Sequence, residues 1–121
     1  EPNVGQYYNS KGSILARIGR FDESFAAFAK AIELEPNNAL FLESLGFAYV
    51  DLGNKLNEDA TYLDNKAYAK AKVEIDAAYK NALPYFEKAY ELEPDNESFK
   101  HSLRSLYYRL GMNDKYEALA D

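Results

Sequence analysis

The stretch 28–38 (FAKAIELEPNN) returns at 86–96 (FEKAYELEPDN) with eight of eleven residues identical. That offset of 58 also maps Ser44, Leu45, Tyr49, Leu52 and Gly53 onto Ser102, Leu103, Tyr107, Leu110 and Gly111. A shorter offset of 34 maps Gly12 and Gly19 onto Gly46 and Gly53. One unit of 34 residues, interrupted once by 24 extra residues between Gly53 and about Ala77, accounts for both offsets. A unit that short cannot bury its apolar face alone, so the chain is committed to stacking its copies.

Each unit reads as two helices. Tyr8, Gly12, Leu15 and Gly19 recur every three or four residues, and Phe21, Phe25, Phe28, Ala31, Ile32 and Leu34 continue at helical spacing. Gly19 punctuates between the two, and Pro36 stops the second because it lacks the N–H a continuing helix needs. Gly12 and Gly46 leave room for a neighbouring helix to approach closely. No alternating strand pattern appears. At 47% apolar and 28% charged residues the chain can build a packed core.

Composition removes several kinds of chemistry. The chain has no Cys and one His, which excludes disulfide frameworks, zinc fingers, cysteine nucleophiles and His-rich metal sites. A net charge of −6 with no basic patch argues against nucleic acid and anionic membranes as partners. No run is long and apolar enough to span a bilayer. No glycine-rich phosphate loop exists, and His101 lacks a triad context. The acid pairs Glu33/Glu35 and Glu91/Glu93 lie two apart on helices and face different sides. Glu58, Asp59 and Asp64 lack the spacing of a calcium loop. The expectation is a non-enzymatic chain without metal or cofactor. The opening Glu1-Pro2, without an initiator Met, is expected of a processed product.

The repeated residues resemble the tetratricopeptide repeat, a 34-residue helix–turn–helix unit. Repeat one (about 5–38) carries Tyr8, Gly12, Leu15, Gly19, Phe21, Ser24, Phe28, Ala31 and Pro36. Repeat two (about 39–96) carries Leu42, Leu45, Gly46, Tyr49 and Gly53 before the insertion (about 54–77), and Tyr79, Ala82, Phe86, Ala89 and Pro94 after it. A partial repeat three (about 97–121) carries Leu103, Tyr107, Gly111 and Tyr116. Lys11 and Arg104 depart from the family pattern, and Arg104 stands where the family prefers a small residue. That departure suggests a terminal repeat whose outer side faces water. The resemblance implies an all-α, right-handed superhelix of six or seven helices.

It further implies a protein or peptide partner held in the concave groove by first-helix residues. Mapped here, these are Gln6, Asn9, Ser13, Ala16 and Arg17, then Leu40, Glu43, Phe47, Val50 and Asp51, then Ser98, His101, Ser105, Tyr108 and Arg109. Phe47 and Tyr108 are the expected aromatic anchors. The Lys/Asn/Asn/Lys/Arg set that clamps a peptide's terminal carboxylate is not reproduced, since Glu43, Phe47 and His101 break it. A narrower resemblance, carried by 82–89 (ALPYFEKA), 106–111 (LYYRLG) and 114–117 (DKYE), is to tetratricopeptide proteins common in Bacteroidetes. It implies a periplasmic or exported location, with a cytoplasmic one as the alternative.

The insertion reads as a polar loop over 54–65, then a helix over 66–92 with a kink or short break near 80–84 at Pro84. The first three turns of that helix project beyond the stack, with Tyr68, Ala71 and Ile75 on one side. Two readings stand. Either the loop folds back so that Leu56, Tyr62 and Leu63 cover that stripe, or the stripe docks a second chain. In the latter case the protein is a structural or assembly subunit, with a homodimer through the insertion.

Overall fold

The computed structural model describes residues 3–120; Glu1, Pro2 and Asp121, named above at the two ends, lie outside the described residues. Six helices follow in order: α1 (Val4–Arg17), α2 (Phe21–Leu34), α3 (Ala39–Asp59), α4 (Asn65–Leu92), α5 (Glu97–Arg109) and α6 (Asn113–Ala118). No strand occurs among the described residues. Successive helices pack on one another, and the two first helices α1 and α3 also touch. The architecture is an all-α superhelical repeat: α1/α2, α3/α4 and the partial α5/α6.

The repeat explains the packing position by position. A Cβ placed on Gly12 would lie 2.9 Å from the Phe28 ring, and one on Gly46 would lie 2.5 Å from the Phe86 ring. In both repeats the missing side chain is the seat of the phenylalanine from the second helix. Phe28 and Phe86 are almost completely buried. Ser24 Oγ, fully buried, donates to the Gly12 carbonyl at 2.7 Å and ties α2 to α1. Asn38 and Asn96, which start α3 and α5, each accept a bond from the backbone N–H three residues on. This cap is the local reason α3 and α5 start where they do.

Gly19 and Gly111 sit at φ +83° and +73°, the left-handed geometry that closes the turn between first and second helix. Gly53, their counterpart in repeat two, does not turn. It is buried inside α3, and a Cβ there would lie 2.6 Å from the Tyr79 ring. The expected loop over 54–65 is therefore corrected. Residues 54–59 continue α3, and the connection shrinks to 60–64 before Asp64 caps α4 by accepting from Ala67 N–H at 2.8 Å.

Helix α4 runs unbroken through Pro84 for 28 residues, so no break interrupts 80–84. Tyr79, Ala82, Phe86 and Ala89 are buried on either side of the proline, and that packing holds the helix across the bond the proline cannot make. The insertion is thus shared between both helices of repeat two, which lengthen together as an antiparallel pair.

Ile75, expected on a docking stripe, is 4% exposed in a core with Ala60 and Tyr79. Tyr68 and Ala71 are half-buried against the same core, as is Leu56. The stripe is covered from within the chain by Leu56 and Ala60 at the end of α3. Tyr62 and Leu63 take no part in the cover; Tyr62 is 96% exposed.

Candidate functional site

The mapped groove residues fall on α1, α3 and α5, the first helices of the three repeats. Between α1 and α3 lies a recess of about 260 Å³, lined by Ser13, Ala16, Arg17, Ser44, Phe47, Ala48 and Asp51 over the Phe28 ring. Ser13, Ala16, Arg17, Phe47 and Asp51 were expected there; Ser44 and Ala48 were not. Phe47 keeps 44% of its surface in water while its ring meets Phe86 edge-on, with centroids 5.2 Å apart. The Phe86 contact holds the ring in place, and the rest of it stays open to the recess. Asp51 is largely exposed, and such burial as it has pushes its carboxyl above the ordinary value.

A second recess of about 510 Å³ lies at the α5/α6 end. His101, Ser105, Tyr108 and Arg109 meet there, joined by Arg104 and Tyr116. Tyr108 is 68% exposed, and its ring centroid lies 5.3 Å from that of Tyr116. Arg109 also donates to the Tyr79 hydroxyl at 3.2 Å, with its guanidinium over that ring; Tyr79 in turn donates to Asn54 at 2.6 Å. Arg109 therefore links the recess to the lengthened α3/α4 pair.

Arg104 is half-buried, with its guanidinium carbon 4.1 Å from the centre of the Tyr116 ring. Its departure from the small residue at Gly12 and Gly46 was the signal in the sequence that this end is built differently.

Six expected groove residues sit outside both recesses: Gln6, Leu40 and Ser98, all exposed, and Glu43, Val50 and Asn9. Glu43 is 9% exposed and accepts a bond from Ser102 Oγ at 3.1 Å across α3 and α5. Burial raises its carboxyl above the ordinary value, against the opposing pull of the Ser102 bond. Val50 is half-buried against the core that holds Ile75. Asn9 is half-buried, and its amide oxygen is shielded without a hydrogen-bond partner. No group of three His, Cys, Asp or Glu side chains among the described residues is placed to hold a metal ion. No helix among them is long and apolar enough to cross a membrane.

Residues 12–53 match the TPR repeat family, and residues 77–96 match the Tetratricopeptide repeat family. The chain belongs to the tetratricopeptide repeat family. The two matched segments flank 54–76, the stretch that interrupts the period. Among solved structures, the IFIT1 monomeric mutant (L457E/L464E) with Gppp-AAAA superposes with a TM-score of 0.77 at 20% identity, over 93% of this chain and 24% of that one. This tetratricopeptide protein thus spans about a quarter of the IFIT1 chain's length, and the likeness is one of fold. The first TPR of Spaghetti (RPAP3) bound to HSP90 peptide SRMEEVD matches with a TM-score of 0.40 at 23% identity, over 92% of this chain and 96% of that one. The first TPR domain of the human RPAP3 protein matches with a TM-score of 0.41 at 24% identity, over 95% and 98% of the two chains. No curated protein sequence matches the chain.

Proposed function

We propose that this tetratricopeptide protein is a non-enzymatic interaction module that holds a peptide or protein segment along the groove lined by α1, α3 and α5. The family supports protein interaction in general terms. The observation that carries the groove reading is Phe47, an aromatic ring steadied from below by Phe86 and open to solvent above a recess lined from two repeats. Apolar rings held in place and flanked by polar groups suit an extended or helical segment with aromatic or aliphatic anchors. Arg17 and Asp51 on the recess wall offer one charge of each sign to the backbone or side chains of such a segment.

Selection from a random-peptide display library against the whole chain tests this. Selected peptides are expected to share an apolar anchor and to bind Phe47→Ala about tenfold more weakly. The melting temperature of that variant should fall far less than for Phe28→Ala, whose buried ring is worth about 3–5 kcal/mol. Selected peptides without a consensus, or affinities indifferent to Phe47, would remove the groove reading.

A further inference from the structure

The two recesses differ in charge. The one between α1 and α3 is lined by Arg17 and Asp51, one charge of each sign, whereas the one at α5/α6 is lined by Arg104 and Arg109 with no carboxylate among the described residues. Neither of those arginines forms an ion pair among the described residues. Two guanidinium groups sharing one concavity without a carboxylate among the described residues stand out in a chain of net charge −6. We propose that this recess takes the acidic side chains of a partner peptide, with Tyr108 and Tyr116 packing on the apolar side chains between them. The proposal rests on the groove reading and names the chemistry of one end of it.

The repeat shows how the site is made. At the place of Gly12 and Gly46, where the first two repeats seat a phenylalanine, repeat three has Arg104, and the residue in register with Phe86 is Ala120. The space left by the missing ring holds the guanidinium, stacked 4.1 Å from the centre of Tyr116. A stacked guanidinium keeps its N–H groups in the plane of its rim, aimed away from the ring. Arg104 Nε is shielded and has no hydrogen-bond partner among the described residues. Arg109 keeps part of its fork free after its bond to Tyr79. Guanidinium forks match carboxylates in geometry as well as charge. A recess of about 510 Å³ with a tyrosine 68% exposed on its wall accommodates an apolar neighbour of those carboxylates. Nucleic acid fits poorly, because a continuous polyanion is repelled by the rest of an acidic chain that offers only two such groups here.

The test uses the whole chain and a fluorescent peptide of alternating Glu and Leu, beside the same peptide with Gln for Glu. The Glu peptide is expected to bind about tenfold more tightly, with a preference that shrinks as salt rises. Ser105→Glu places a negative charge at an exposed position in the recess and should erase the preference without changing the melting temperature. Arg104→Gln should erase it as well, while Phe47→Ala in the other recess should weaken both peptides alike. Equal affinity for the two peptides, or a preference that survives both recess variants, overturns the proposal. Equal affinity that still depends on Phe47 removes the acidic site and leaves the groove. If the display library yields ligands that are not acidic and neither test peptide binds, the acidic site again falls alone.

Discussion

Glu43 carries a cost that its position makes readable. Its carboxylate lies between α3 and α5 with one hydrogen bond, and burial outweighs that bond in setting its protonation. The folded chain therefore holds this proton to higher pH than the unfolded chain does. Stability from this group is complete below the ordinary carboxylate value of about 4 and is lost as pH rises through the raised one. The raised carboxyl of Asp51 acts in the same direction. Glu43→Gln keeps an acceptor for Ser102 and removes the charge. It is expected to melt higher than the parent at pH 7, with the gap closing as pH falls below about 4; calorimetry across that range checks it, and a lower melting point at pH 7 would refute it. Gly46 makes a second demand. Alanine normally gains about 1 kcal/mol over glycine within a helix. Here its Cβ would stand 2.5 Å from the Phe86 ring, so Gly46→Ala should instead destabilise by about 1–3 kcal/mol in denaturant unfolding.

Among the elements, α3 and α4 depart most from the repeat. A first helix of this family ends at its turn glycine, as α1 and α5 do beside Gly19 and Gly111. Helix α3 passes through Gly53 because its continuation has somewhere to pack: Leu56 and Ala60 meet Ile75, Tyr68 and Ala71 of the lengthened α4. The same continuous packing carries α4 through Pro84, which is itself exposed. Pro84→Ala would restore the bond to the Lys80 carbonyl without emptying any core space. The expected gain is up to about 3 kcal/mol, read as a higher melting temperature with unchanged helical signal. A loss of stability would mean that the proline sets a bend the body requires.

Across the whole molecule, the interruption extends the core that α4 shares with α5, through Phe86, Leu103 and Tyr107, rather than adding a separate one. Ala60 and Ile75 are buried beside Tyr79, while Phe28, Leu45, Ala89 and Phe99 belong to core clusters that the insertion does not enter. Deleting 54–77 and closing the gap with a short turn would return Gly53 to the role of Gly19. Such a chain should fold and melt cooperatively. It should lose a few kcal/mol, since burial of an isoleucine alone is worth about 1.5–3 kcal/mol and the Asn54 bond to Tyr79 goes as well. Circular dichroism melts decide this: an unfolded product would make the lengthened pair part of the core on which the other repeats depend.

Self-similarity was enough to read the all-α stack, the helix pairs and the place of the interruption, whereas the first-helix groove positions came only from the resemblance to the family. The former follow from residue type at fixed spacing, and a repeat states them two or three times over. Three features were out of reach of spacing: the continuation of α3 past Gly53, the burial of Ile75, and the turn of Arg104 onto Tyr116. Each depends on contacts between segments that the repeat does not relate, across an insertion that occurs once. A polar stretch such as 54–59 turns helical when a partner helix lies alongside to bury its few apolar residues. An arginine at a glycine position goes where the absent phenylalanine leaves room, and that room exists only once the helices are assembled.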